Sequence, residues 1–199
     1  MQNKNNLVRL KGKINNIKFS HKVGETDIYE GFISVERTSG TLDLIPVNFR
    51  KPMLELVKEG EDISVIGEFR SRNNVINGKT KLELYVMPTY IVDDDDVINQ
   101  NVIEIEGYIC KEPIFRVTPL KREITDLIIA VNRQHNKSDY LPVIVWGLEA
   151  KVASNYKVGD KVKIKGRVQS RIYQKDGENK TAYEVSVTYI SKIEESEEV

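Results

Sequence analysis

Cysteine is almost missing from this chain. Cys110 is the only one in 199 residues, so no internal disulfide can form, as expected of a protein kept in a reducing cytoplasm. Histidine is nearly as scarce. His21 and His135 both fall in polar segments, and neither is paired with Cys110 in a pattern that nucleophilic catalysis would need. No glycine-rich phosphate loop of the P-loop or dinucleotide type occurs. No apolar run approaches the ~18 residues of a membrane span, and the polar start Met1–Asn6 is no signal peptide. An excess of one charge is missing too, since Lys plus Arg and Asp plus Glu stand at 30 each. That excludes a histone-like polycation but not a local basic groove, which depends on where the charges sit. Enzymatic, metal-dependent and cofactor-dependent readings therefore find little support, and a binding protein without membrane segments is expected.

Among what is present, the stretch Asp139–Gly147 stands out, and it holds the single tryptophan. Strand alternation sends Leu141, Val143 and Val145 to one face and Tyr140, Ile144 and Trp146 to the other. In Val162–Tyr173 the same alternation turns Val162, Ile164, Gly166 and Val168 inward. It leaves Lys163, Lys165, Arg167, Gln169, Arg171 and Tyr173 outward. A sheet face that mixes Tyr and Trp with Arg and Lys suits the stacking of unpaired bases and neutralisation of their phosphates better than it suits a core.

The chain also repeats itself. Gly12 and Gly107 sit at the same place in two alternating segments, 107 − 12 = 95 residues apart. Arg37, Asp43, Pro46 and Val47 match Arg133, Asp139, Pro142 and Val143 at 139 − 43 = 96. Gly60, Gly67, Ser71-Arg72, Gly78 and Thr89-Tyr90-Ile91 match Gly159, Gly166, Ser170-Arg171, Gly177 and Thr188-Tyr189-Ile190 at 166 − 67 = 99. An offset that changes only in loop-like places signals internal duplication.

Each copy reads as three strands, a short helix (Pro52–Lys58 or Leu148–Tyr156) stopped by Gly60 or Gly159, and a hairpin turning at Asn77-Gly78 or Asp176-Gly177. That order predicts an all-β protein with short helices: two tandem five-stranded Greek-key barrels of the oligonucleotide/oligosaccharide-binding (OB) type, with mid-strand glycines such as Gly12 and Gly166 at sharp bends. The polar, acidic Asp93–Asp96 and Asn99–Asn101 place the boundary, giving domains 1–94 and 99–199. The carboxylate run lacks the ligand spacing of a metal site. The acidic end Ile193–Val199 reads as frayed.

The second copy resembles the bacterial single-stranded DNA-binding proteins. The resemblance rests on Asn101-x-Ile103-x-Ile105-x-Gly107-x-Ile109, Pro113-x-Phe115-Arg116-x-Thr118-Pro119, Ile129–Arg133, Asp139–Gly147, Gly159-Asp160 and Gly166–Tyr173. The first copy is similar to that family only through the repeat. The resemblance implies sequence-tolerant binding of single-stranded DNA in replication, recombination and repair, with Tyr140, Trp146 and Tyr173 stacking on bases. Arg133, Arg167, Arg171 and Lys175 are then expected at phosphates. Leu44, Arg50 and Asn74 stand in the first copy where those three aromatics stand in the second. Its face is therefore expected to be degenerate, with Arg50, Arg70 and Arg72 as secondary contacts. The loop Gln134–Ser138 is short and lacks a stacking aromatic that some relatives carry. Implied partners are single-stranded DNA, a second copy of the chain in a homodimer of four barrels, and replication proteins; the implied location is the cytoplasm, at the nucleoid. The alternatives are an OB protein-interaction module of a primosome-like assembly, and RNA in place of DNA.

Overall fold

Short alternating segments with glycine at fixed intervals give a chain that is almost entirely strand. The computed structural model describes residues 5–76, 78–92, 100–175 and 177–194. In the first copy β1 (Asn6–Val23), β2 (Thr26–Glu36) and β3 (Leu42–Arg50) are followed by β4 (Asp62–Ile76) and β5 (Lys79–Val92). Antiparallel pairings β1–β2, β2–β3, β4–β5 and β1–β4, with a parallel β3–β5 contact at Val47 and Val86, close the barrel. The second copy repeats the scheme with β6 (Asn101–Ile109), β7 (Ile114–Val117), β8 (Glu123–Asn132), β9 (Ser138–Trp146), β10 (Lys161–Lys175) and β11 (Glu178–Lys192). There β9 and β11 make the parallel contact, and β7 adds to β8 outside the ring. Strand order, handoff and closure are those of the expected OB barrels.

Residues cluster into two compact units that are not simply the two halves of the sequence. One comprises Met1–Asn6, Ile103–Arg167 and Glu184–Val199, and is called here the Trp146 unit; the other, the Asp43 unit, comprises Leu7–Val102 and Val168–Tyr183. The hairpin arm at the end of β10 and start of β11 thus groups with the first barrel. The expected boundary segment Asp93–Asn99 lies outside the described residues.

Alternation accounts for both cores. In the Asp43 unit Val8, Leu10, Ile33, Ile45, Val47, Phe49, Val65, Phe69 and Val86 have no exposed surface. In the Trp146 unit Ile103, Ile129, Leu141, Val145, Ile164 and Val185 are buried. Four repeat-equivalent glycines make closure possible by close approach of strands. A Cβ would fall 2.1 Å from Ser34 O at Gly12, 2.3 Å from Met87 O at Gly67, 2.6 Å from Ala130 O at Gly107 and 2.3 Å from Ser186 O at Gly166.

Three local expectations change. The helix expected over Pro52–Lys58 is a six-residue 3-10 turn, Lys51–Leu56, with no buried residue and no side-chain cap to extend it. Its counterpart α1 (Gly147–Ala153) is a true helix because Ala150 and Ala153 are buried and Thr125 Oγ1 donates to Ala150 O at 2.7 Å. Gly60 and Gly159 lie beyond both, in turns with positive φ where their N–H groups donate to Ile14 O and Ile109 O, each at 2.8 Å. They shape the entry to a strand rather than stop a helix. His21 lies on β1 rather than in a loop, because β1 runs unbroken to Val23; in the second copy Pro113 cannot donate to the ladder, and that strand is split into β6 and β7. Asn77 and Asp176 of the two hairpin turns lie outside the described residues.

Candidate nucleic-acid interface

In the Trp146 unit the outward face of β9 lies against β8 in a defined register. Tyr140 is opposite Ala130, Pro142 opposite Ile128, Ile144 opposite Asp126, and Trp146 opposite Ile124. Tyr140 is 48% exposed, whereas Ile124 and Ile144 are buried although they alternate outward. The two aromatics stand at opposite ends of a row that is apolar except for Asp126, roughly 20 Å apart at ~3.3 Å per residue. Trp146 is half-buried, and its indole N–H donates to Ser186 Oγ at 3.1 Å, which fixes the ring while part of it faces out. On β7 Arg116 is opposite Ile124, the residue that pairs with Trp146, and its guanidinium grips Asp126 at 2.5 and 3.1 Å. The hydrogen bond from Arg116 to Asp126 raises the Arg116 pKa further. Nothing in the sequence marks Arg116 for a role; only the register of β7 on β8 brings it to the row that holds Trp146.

The cations expected at phosphates differ in what else they touch. Arg133 Nη1 lies 3.2 Å from Asp139 Oδ1, a carboxylate with no exposed surface, so the residue also has a structural duty. Arg167 has a buried Nε without a hydrogen-bond partner. Lys163 and Lys165, on the same strand, face Glu106 and Glu104 at 3.5 Å each and are close to neutralised. Gln169, expected outward, is buried.

Arg171 and Tyr173 belong to the arm, and so to the Asp43 unit. Tyr173 is 36% exposed, and the Arg171 guanidinium carbon lies 5.7 Å from its ring centroid, a cation–π geometry. The side chain of Lys175 lies outside the described residues.

The first barrel's own face is different. Leu44 and Arg50 are exposed at the positions equivalent to Tyr140 and Trp146. Asn74, at the position of Tyr173, donates to Glu83 Oε1 at 2.9 Å. Arg70 is ion-paired with Glu68. Arg72 reaches Glu83 at 2.7 Å and the His21 ring at 2.7 Å. Burial, then the neighbouring Arg72, pushes the His21 pKa down. Glu83 is held below the usual carboxylate range: burial would raise it, but the hydrogen bonds from Asn74 and Arg72 outweigh that. Among the described residues no cluster of His, Cys, Asp and Glu could hold a metal ion, and no helix is long and apolar enough to cross a membrane. Burial raises the Cys110 pKa, which keeps the thiol protonated.

A barrel with an aromatic outward face defines an OB-type binding protein, and comparison with known proteins narrows the class. The model of the single-strand binding protein family matches residues 100–193. A single-stranded DNA-binding protein of Clostridium tetani is 32% identical over 102 residues, 47% of this chain and 70% of the relative. Single-stranded DNA-binding protein 1 of Clostridium acetobutylicum is 36% identical over 94 residues, 43% of this chain and 86% of the relative. Among solved structures, the wild-type single-stranded DNA binding protein of Thermus aquaticus has a TM-score of 0.70 at 20% identity. That match covers 96% of this chain and 93% of the other, a likeness of fold that takes in both copies. The chain belongs to the single-strand binding protein family, whose members are DNA-binding proteins and not enzymes.

Proposed function

We propose that this chain binds single-stranded DNA with little regard to sequence during replication, recombination and repair. Tyr140 and Trp146 stack bases on the β9 face, and Tyr173 stacks one on the arm. Arg133, Arg167, Arg171 and Lys175 meet phosphates, with Arg50, Arg70 and Arg72 as secondary contacts. The primary face belongs to 99–199, the degenerate face to 1–94, and the protein acts as a homodimer at the nucleoid, in the cytoplasm, where replication proteins meet it. One observation carries the reading: two aromatics alternate outward at the two ends of a barrel strand whose outward row is mainly apolar, in a chain of this family. Base–aromatic stacking tolerates any sequence because every base offers a π-face.

The test is the emission of the single tryptophan during titration with poly-dT, duplex DNA and poly-U. Single-stranded DNA is expected to quench Trp146 strongly and duplex DNA weakly. Unchanged emission at binding verified by another signal removes Trp146 as a stacking residue. Light scattering is expected to give about twice the 22.8 kDa chain mass, and a monomer at micromolar concentration removes the four-barrel assembly.

A further inference from the structure

One buried polar cluster in the Asp43 unit is not used by the stacking face. The Asp43 carboxylate is 1% exposed. Arg37 donates to it twice, Nε to Oδ2 at 2.7 Å and Nη2 to Oδ1 at 2.6 Å. Ser170 donates to Oδ1 twice more, from its backbone N–H at 2.7 Å and its hydroxyl at 2.9 Å. The circuit closes because Arg37 Nη2 also donates to Ser170 O at 2.8 Å. All three polar groups of Ser170 are therefore held by one ion pair. Two residues earlier, Asn101 grips the arm again: its Nδ2 donates to Val168 O at 2.7 Å and its Oδ1 accepts from Val168 N at 2.9 Å.

The residues that follow Ser170 are Arg171 and, two further, Tyr173. Residues 171–174 of the arm are exposed, so the base of the arm decides where they point. Buried charge-assisted bonds are strong and short-ranged, and they set direction as well as energy. The same Arg–Asp pair exists in the second copy as Arg133 and Asp139, where Arg133 Nη1 lies 3.2 Å from Asp139 Oδ1. The first copy, whose own face lacks aromatics, thus holds the tighter version of the pair.

We propose that Asp43 is a positioning residue for DNA binding: the first barrel anchors the arm through Ser170, and so fixes Arg171 and Tyr173 for stacking and phosphate contact. The proposal rests on Tyr173 binding DNA, as set out above, and gives the degenerate copy a duty in that binding. Asp43→Asn keeps the shape, but it removes the charge that Arg37 and Ser170 share.

The test uses the full chain and two readouts. In hydrogen exchange without DNA, Asp43→Asn is expected to speed exchange of the arm amides around Ser170–Tyr173 while core amides of both barrels stay protected. For poly-dT, Asp43→Asn is expected to weaken binding roughly tenfold, of the order that losing one stacked base brings. In a Tyr173→Ala background Asp43→Asn is expected to add less than about twofold, because both changes remove the same contact. Ser170→Ala, which leaves the backbone donor and the ion pair, is expected to move both readouts the same way and less far. Unchanged arm exchange overturns the anchor. A loss of affinity that persists in the Tyr173→Ala background overturns the positioning role, since it would then act through general destabilisation. Tyr173→Ala and Asp43→Asn both silent in binding, with faster arm exchange, leaves the anchor standing and sinks the stacking role of Tyr173 instead.

Discussion

The two copies share a backbone and a core but not a surface. Ile45, Val47 and Phe49 fill the first barrel as Leu141, Val143 and Val145 fill the second, and close-approach glycines recur at the same places in both. Outward, the second copy presents Tyr140 and Trp146, whereas the first presents Leu44 and Arg50. The cations separate the copies less: Arg70 and Arg72 on the first barrel pair with Glu68 and Glu83, Lys163 and Lys165 on the second face Glu106 and Glu104, and Arg72 and Arg167 each keep a buried Nε without a hydrogen-bond partner. Core residues are constrained by packing and by closure, so a duplicated barrel keeps them. A face is constrained only by what it binds, so outward aromatics can be kept in one copy and lost in the other.

The comparison breaks most visibly in affinity. Trp146→Ala combined with Tyr173→Ala is expected to weaken poly-dT binding by about 2–6 kcal/mol, at ~1–3 kcal/mol per stacked base. Arg50→Ala with Arg72→Ala is expected to cost about tenfold or less. Filter binding or anisotropy decides it, and a larger loss from the arginine pair would reverse the roles of the copies.

Salt dependence sharpens the contrast. Some three to five phosphate contacts predict a slope of log affinity on log salt near −2 to −3.5, at about −0.7 each. Arg171→Ala or Arg167→Ala is expected to flatten that slope by about 0.7, and Arg70→Ala, a secondary contact already paired with Glu68, to flatten it by less. Equal changes from all three would mean that the ion pairs of the first barrel open to receive DNA.

Acid distinguishes the copies more quietly. Burial alone would raise the Asp43 pKa, but hydrogen bonds from Arg37 and Ser170 override it and hold it low. A carboxylate with a depressed folded pKa stabilises fully above its unfolded value, near 3.9, and the contribution fades as pH falls through the lower folded one. The melting difference between the wild type and Asp43→Asn is expected to be constant from pH 5 to 8 and to shrink below about pH 4. A difference that shrank already at pH 6 would point to another group.

The smallest effect concerns His21. Its folded pKa is depressed, so its neutral form stabilises the first barrel above the unfolded value near 6.5, and that share is lost as pH falls below it. Replacing His21 with Gln is expected to remove a slight loss of melting temperature between pH 7 and 5. An unaltered profile would show that Arg72 moves aside when the ring is protonated.

Most of the fold was legible because alternation and the repeat are local or simply periodic. Gly12 and Gly166 read from sequence as the bends a small barrel needs, and at both a Cβ would meet a neighbouring strand. Tyr140 and Trp146 could be placed on one face because β9 is a short strand free of bulges. Legibility failed where contacts are long-range or alternation slips. Gln169 alternates outward on paper and is buried, and Ser170 beside it is held by a residue in the other copy. Nothing periodic connects Arg72 to His21, which meet only because β1 continues past two register shifts to Val23. The helix over Pro52–Lys58 failed for a local reason, since no buried side chain rewards a second turn there.

The link between Asp43 and Ser170 also sets an order of events during synthesis. The two residues are 127 apart in sequence, so at roughly 5–20 residues per second about 6–25 s separate their appearance at the ribosome. The first barrel's strands are all made long before Ser170 exists, and during that interval Asp43 has Arg37 but neither of the Ser170 donors. The nascent first half therefore waits with an incompletely satisfied acidic site, which the last hairpin of the chain completes.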